Sequence, residues 1–197
     1  MEGNFIGPRE LRRIANKLSV KVPSDTAIPE VPFEPALLQT CAKDFLLILA
    51  IPHVSISSLR STFGTDPEKS EPCFYHQDWY LNEPFVKKEL ELTWHLLRTS
   101  PLQESRARDP KDIEKDLTHK AHFPGATLVA FAFFARYLLT GIPLFKEDFV
   151  WCADADTNGD RIYVGRYVDP TAMSKNGFGI HRHLSIRNCY GFAPEIA

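Results

Sequence analysis

The stretch FVWCADADTNGDRIYVGRYV, residues 149–168, predicts a β-hairpin in the last quarter of the chain. Asn158-Gly159 is the preferred pair for a two-residue hairpin turn, because both central positions of that turn need a positive φ. Pairing residues outward from the turn places Asp156 opposite Arg161 and sets the register of the whole hairpin. The opposite charges of this pair favour the same register.

The predicted register separates an apolar face from a polar face. The apolar face carries Phe149, Trp151, Ala153, Ala155, Ile162, Val164 and Val168. The polar face carries Asp154, Asp156, Arg161, Tyr163 and Tyr167. Arg166 is the exception on the apolar face, where it stands opposite Trp151 and can lie across the indole ring. A slip of one residue would mix the two faces, so their separation supports the register.

A further strand is predicted over FGIHRHLSIR, residues 178–187, where apolar and polar residues alternate. His181 and His183 point to one side of such a strand, because successive side chains lie on opposite faces. If the strand joins the hairpin sheet in the same sense, both histidines share its polar face. The candidate ligand-binding residues are therefore Arg161, Tyr163, Tyr167, His181 and His183.

Helix signals fill most of the chain before the hairpin. Pro8 opens a predicted helix that ends at Leu18, and its basic face is typical of a solvated surface. Further helices are predicted over residues 36–50, 57–63, 110–117 and 126–139. Residues 90–97, LELTWHLL, favour a strand because of Thr93 and Trp94.

The order of these elements predicts an α+β fold, with helices in the N-terminal two-thirds packed on a C-terminal antiparallel β-sheet. Residues 23–35, PSDTAIPEVPFEP, carry four prolines and predict an extended connector. We therefore expect an N-terminal helix and proline-rich connector over residues 1–35. A single α+β domain is expected over residues 36–197.

The composition is that of an ordinary globular protein. Hydrophobic residues make up 44% and charged residues 24% of the 197 residues, so the low hydrophobicity of disordered proteins is absent. The formal net charge of −2 supplies no global field for drawing in nucleic acid, and we expect no nucleic-acid partner. The apolar run 126–139 is shorter than the roughly 20 residues that a bilayer requires, and it contains Arg136. We therefore expect no membrane partner.

Cysteine spacing and the first residues bear on the compartment. The four cysteines, Cys41, Cys73, Cys152 and Cys189, form no CxxC pair, so a zinc-ribbon or redox motif is not indicated. The opening MEGNFIGPREL lacks the basic and then apolar pattern of a secretory signal. We expect reduced thiols and a cytoplasmic location.

The string DADTNGD, residues 154–160, resembles the opening of an EF-hand calcium loop, in which alternating oxygen ligands surround the ion. Gly165 stands where such a loop has its bidentate glutamate, and the flanks favour strands over helices. The string also looks like the Asp-x-Asp-x-x-Gly motif of toprim domains, which hold magnesium for phosphoryl chemistry. In that family a helix follows the motif, whereas RIYVGRYV follows here. We transfer no function from either resemblance.

Two function classes stay open, and the sequence does not decide whether the chain is an enzyme. The first is a module that binds a small molecule or a protein through the candidate ligand-binding residues, since arginine and tyrosine are frequent anchors of recognition surfaces. The alternative is a metal-dependent hydrolase, for example one acting on phosphoesters, in which a bound divalent ion activates water. Its candidate metal residues are Asp154, Asp156, His181 and His183. A divalent metal ion is the one cofactor that the sequence suggests.

Overall fold

The computed structural model describes residues 4–118, 120–169, 176–183 and 185–196. Its helices are α1 (Pro8–Leu18), α2 (Pro35–Cys41), α3 (Ile56–Phe63), α4 (Pro110–Lys115) and α5 (Ala126–Thr140). Its strands are β1 (Phe5–Ile6), β2 (Phe45–Ala50), β3 (Thr93–Arg98), β4 (Ala121–His122), β5 (Phe149–Ala155), β6 (Arg161–Gly165), β7 (Gly179–His181), β8 (Tyr190–Gly191) and β9 (Glu195–Ile196). None of the described helices is long and apolar enough to cross a bilayer.

The strands form two mixed sheets, which confirms the α+β class. The first sheet has the order β1-β2-β3-β9-β4, and the second has the order β7-β6-β5-β8. Each sheet contains one parallel pair, β1 with β2 and β5 with β8. The predicted layout is therefore corrected in two respects: three strands precede residue 100, and neither sheet is purely antiparallel. Short strands from distant parts of the chain complete both sheets, and such pairings leave no local pattern in the sequence.

The apolar segment 36–50 is not one helix, as predicted, but a helix followed by a strand. Helix α2 ends at Cys41, and residues 45–50 form β2, which lies between β1 and β3. Leu46 and Ile48 are fully buried on the face of β2 that meets the core. A short apolar run is typical of both a buried helix and a buried strand, so periodicity could not distinguish them.

Helix α5 is the centre of the molecule. All ten residues from Ala126 to Ala135 are buried, and the helix contacts α1, α3, β2, β5 and β6. Gly141 ends it in the left-handed conformation at φ 71°. An apolar helix of this kind must be covered on every side, and here helices and both sheets cover it.

The N-terminal helix docks on the same chain. The apolar stripe of α1 is buried against α5, and the proline-rich connector lies against the first sheet, where Trp94 Nε1 donates a hydrogen bond of 2.9 Å to the Pro29 carbonyl. Helices α1, α3 and α4 and the strand around Trp94 are confirmed close to their predicted positions.

The hairpin is confirmed, but its predicted register is wrong. Trp151 pairs with Tyr163 and Ala155 with Arg161, with an irregularity in β5 between these pairs. The connecting loop comprises five residues, 156–160, instead of two. Its shape is set by Asp156, whose Oδ1 accepts hydrogen bonds from the amides of Asn158 at 2.9 Å and Asp160 at 2.8 Å. Trp151 therefore shares a face with Tyr163, and Arg166 does not lie opposite Trp151.

Candidate functional site

The alternation of side chains breaks at the end of β6. Gly165 has a φ of 125°, and Arg166 follows with a φ of 40°. A Cβ at position 165 would lie 2.6 Å from the Asp148 carbonyl oxygen, so the close approach of these segments requires glycine. A non-glycine residue at positive φ stores strain, which is common at functional sites. The turn directs Arg166 into a cleft beside β7.

This cleft, which we call the Arg166 cleft, has a volume of about 190 Å³. Its polar side chains are Gln77, Arg166, Asp169, His181 and Arg187. Its aromatic side chains are Tyr75, Phe149 and Tyr190. The residues come from four separated parts of the chain, and the second sheet and the segment that follows Phe74 bring them together.

Arg166 is the mostly buried cation of the cleft. Its side chain is only 11% exposed, and Nη2 donates a hydrogen bond of 2.8 Å to Asp169 Oδ1. Nη1 lies 3.6 Å from the Cys189 sulfur, and the guanidinium carbon lies 6.0 Å from the centre of the Phe149 ring. Nε is buried and has no hydrogen-bond partner within the described part of the chain. One donor of the guanidinium thus has no partner among the described residues.

Gln77 carries an acceptor that is unsatisfied within the described residues, which complements the unsatisfied donor of Arg166. Its Nε2 lies 3.4 Å from His181 Nδ1, whereas its buried Oε1 finds no partner among the residues that the structure describes. Backbone contacts hold this segment beside β7: the Tyr75 amide donates to the Phe178 carbonyl at 3.0 Å, and Trp79 Nε1 donates to the Ile180 carbonyl at 3.1 Å. Within the part of the chain that the structure describes, two residues beside the cleft thus carry an unsatisfied buried donor and an unsatisfied buried acceptor.

Aromatic rings frame these groups. The His181 ring stacks 5.9 Å from Tyr163 and meets Phe149 edge to face at 5.0 Å. Phe149 is also perpendicular to Tyr190, at 5.3 Å. Such contacts fix the planes of the rings. Gly179 leaves the space between them open, since a Cβ there would lie 3.2 Å from both the Phe149 ring and His181 Nε2.

The charges in the cleft do not cancel. Two guanidinium groups, Arg166 within the cleft and the exposed Arg187, stand against the carboxylate of Asp169. Among the arginine and aspartate side chains of the described residues, this leaves an excess of one positive charge. In a partly desolvated cleft that excess favours a ligand with a negative charge.

The predicted ligand-binding residues occupy several places. His181 lines the Arg166 cleft, whereas Arg161 and His183 line a second cleft of about 390 Å³ beside α4. There Arg161 Nη2 lies 3.2 Å from the carboxylate oxygens of Glu114, and His183 Nδ1 lies 2.8 Å from Asp160 Oδ2. Because β7 ends at His181 and His183 has a φ of 40°, strand alternation does not place the two imidazoles together.

The two predicted tyrosines are buried on different sides of the second sheet. Tyr163 is 1% exposed and packs 4.9 Å from the Trp151 ring, while Tyr167 is 3% exposed and packs 5.1 Å from Phe133 of α5. The Tyr167 hydroxyl donates to the Glu71 carboxylate. Burial, together with this hydrogen bond, raises the pKa of Tyr167, so its phenol stays protonated. The predicted polar face is thus divided between clefts and core.

The candidate metal residues are also separated. Asp154 Oδ2 accepts a hydrogen bond of 2.6 Å from the amide of Ala126 at the start of α5, and Asp156 is enclosed by its own loop. Asp156 binds Arg182, not Arg161 as predicted. No three His, Cys, Asp or Glu side chains of the described residues converge as a metal-binding group. The hydrolase hypothesis stays a prediction.

No family model matches this chain, and comparisons with curated proteins and with solved structures gave no significant match. The candidate site therefore rests on its own geometry. Sequence reasoning identified His181 but missed Gln77, Asp169 and Arg187. A second signal for the cleft was Arg166, the single charged residue on the predicted apolar face of the hairpin.

The Asp156 loop yields a test that involves pH. Burial raises the pKa of the Asp156 carboxyl, but hydrogen bonds from the Asp160 amide, the Arg182 side chain and the Asn158 amide outweigh burial and lower it below the usual aspartate value. A lowered pKa means that the carboxylate stabilises the fold above its unfolded pKa of about 3.9. This contribution is lost as the pH falls through the lower, folded pKa.

We expect Asp156→Asn to lower the free energy of unfolding by about 2 kcal/mol at pH 7, because an amide loses the charge that faces Arg182. Below about pH 4 the difference from the unsubstituted chain should shrink. Urea unfolding at several pH values measures both effects. Asp25→Asn, which removes an exposed ion pair with Arg12, is the control and should change little. A loss at Asp156 that is equal at pH 7 and pH 3 would contradict this account.

Proposed function

We propose that this chain is a binding protein whose ligand is a small molecule held in the Arg166 cleft. One observation carries the proposal: Arg166 and Gln77 line the same cleft, and each has one buried polar atom, Nε and Oε1, without a hydrogen-bond partner within the described ranges. A buried polar group without a partner costs about 1–3 kcal/mol. A ligand that satisfies both atoms recovers that cost on binding.

The size of the cleft limits the ligand. Its volume of about 190 Å³ is below the roughly 300–1,000 Å³ typical of sites for drug-sized molecules. The ligand is accordingly small, of the size of one ring with a polar substituent. The proposal keeps the binding class predicted from the sequence and retains His181, while the other residues of the site are new.

The test is a fragment screen by ligand-observed NMR on the full chain. We expect fragments that bind the unsubstituted protein to lose about tenfold or more in affinity with Arg166→Met, because a hydrogen bond to a charged donor disappears. Arg13→Gln, on the exposed face of α1, is the matched control and should leave binding unchanged. Fragments that bind Arg166→Met and the unsubstituted protein equally would refute the cleft as the binding site. Far-UV circular dichroism checks that each variant is folded.

A further inference from the structure

We propose that the ligand of the Arg166 cleft is a planar aromatic monocarboxylate that also carries a ring N–H group. This inference rests on the proposed function and specifies its ligand class. Three features of the cleft contribute to it: the hydrogen bonding of the Arg166 guanidinium, the Gln77 amide oxygen without a partner among the described residues, and the arrangement of the rings. Each restricts a different part of the ligand.

The guanidinium selects a single negative charge. Arg166 already neutralises Asp169 through Nη2, and Nε is the donor for which the described residues supply no acceptor. Arg187 adds the excess positive charge at the exposed side of the cleft. A carboxylate matches one net charge and accepts from planar N–H donors in a favourable geometry. A phosphate dianion would bring a second charge close to the Asp169 carboxylate, and like charges repel.

The amide of Gln77 selects a donor on the same molecule. Its buried Oε1 can only accept a hydrogen bond, and the neighbouring His181 contact is made by Nε2 at 3.4 Å. A site built with a buried acceptor discriminates strongly against ligands that lack the donor, because the acceptor then stays unsatisfied. A ring N–H meets this requirement without adding a charge.

The rings select a flat ligand. Tyr75, Phe149 and Tyr190 line the cleft, and the His181 ring is tilted 31° from Tyr75 at a centroid distance of 6.2 Å. Aromatic groups gain from stacked and edge-to-face contacts beyond the burial of area. The volume of about 190 Å³ leaves room for one small ring and its substituent. A five-membered heteroaromatic acid combines the three requirements.

The experiment compares matched probes by titration calorimetry. The probes are pyrrole-2-carboxylate and pyrrole-3-carboxylate, their furan analogues in which oxygen replaces N–H, pyrrole-2-carboxamide without the charge, and inorganic phosphate. We expect at least one pyrrole acid to bind about tenfold or more tightly than its furan analogue and than the carboxamide. Phosphate should bind more weakly than that pyrrole acid.

Two variants test whether the preference for N–H depends on Gln77 Oε1 and the preference for a carboxylate on Arg166. Gln77→Leu should reduce the preference for pyrrole over furan to less than about threefold while the furan acids bind as before. Arg166→Met should weaken every carboxylate by about tenfold or more. Because Arg166 also contacts Asp169, the Gln77→Leu result keeps the inference testable if Arg166→Met fails to fold.

The outcomes separate the ligand class from the proposed function. Neutral fragments or phosphate that bind in the cleft more tightly than the pyrrole acids would overturn the ligand class and leave the cleft as a binding site. A pyrrole preference that survives in Gln77→Leu would also overturn it. If no fragment of any class depends on Arg166 or Gln77, the proposed function itself fails.

Discussion

Gly177→Ala is expected to prevent folding, or to lower the free energy of unfolding by more than about 4 kcal/mol. A Cβ at this position would lie 2.4 Å from the Tyr75 amide nitrogen and 2.5 Å from the Phe74 carbonyl carbon. Both are backbone atoms, so no flexible side chain can move aside. The φ of 133° is also one that L-residues rarely adopt, and alanine there is strained even without the contact.

The two segments in this contact cannot easily separate. The Phe178 amide donates to the Cys73 carbonyl at 2.9 Å, and the Tyr75 amide donates to the Phe178 carbonyl at 3.0 Å. Relief of the clash at Gly177 would break this pairing, which also positions two residues of the Arg166 cleft, Tyr75 and Gly179. Gly177→Ala should therefore lower the stability of the fold and distort the cleft at the same time.

Urea unfolding followed by circular dichroism measures the effect, together with the soluble yield of the variant. Gly141→Ala is the matched control, because its φ of 71° is also positive but, apart from its chain neighbours, no heavy atom of the described residues lies within 4 Å of the added Cβ. It should cost about 1–2 kcal/mol, the strain of the left-handed conformation alone. Equal losses in the two variants would show that the close approach at Gly177 is not rigid.

The sequence predicts those elements that have local signals. Helix α1 begins at Pro8 as expected, and Gly64 and Gly141 end α3 and α5 as their positions after apolar runs indicate. Each of these signals depends on residues within one or two turns of the chain, so a single segment is enough to predict the element. The prediction of one helix over residues 36–50 was wrong because the second half of this segment is a strand. That strand depends on pairing with β1 and β3, far away in sequence.

In the hairpin, a tertiary contact overrides the local turn preference. Asn158-Gly159 favours a two-residue turn, yet the Asp156 carboxylate binds two loop amides and Arg182, which lies 26 positions after Asp156 in the chain. The five-residue loop and the irregularity in β5 shift the register away from the turn. The positive φ of Arg166 then changes the face on which the next side chains lie.

The candidate site could be predicted only in part, for the same reason. His181 follows from strand alternation, and Arg166 was marked by a charge among apolar neighbours. Gln77 enters the cleft from a segment about ninety residues before Arg166, which β7 holds through the Trp79 indole and the Tyr75 amide. No pattern in residues 74–80 indicates that pairing, so the acceptor of the site required the three-dimensional structure.

Phe134→Ala is expected to have the second largest effect, a loss of about 3–5 kcal/mol in the free energy of unfolding. Phe134 lies in α5 and is fully buried. Its ring centre is 4.3 Å from that of Phe63 of α3, 4.8 Å from that of Phe74 and 5.8 Å from that of Phe178. The ring thus joins two helices to the paired segments beneath the cleft. Its removal leaves a cavity that none of these elements can fill by a small shift.

Two controls distinguish the cavity from a general sensitivity of the chain. Phe134→Leu retains most of the volume and should cost roughly 1–2 kcal/mol, whereas Ile142→Ala, at a side chain that is 58% exposed, should change stability by less than about 0.5 kcal/mol. Urea unfolding of the three variants ranks their losses of stability, and a loss in Phe134→Ala no larger than that in Phe134→Leu would contradict the packing argument.

The same variants should differ in ligand binding, because the Phe74–Phe178 pair beneath the Arg166 cleft packs against residue 134. Phe134→Leu keeps most of this packing and should bind the ligand of the cleft with nearly unchanged affinity. Phe134→Ala should bind it more weakly even at temperatures where circular dichroism shows the chain to be folded, since Tyr75 and Gly179 would then rest on a loosened core.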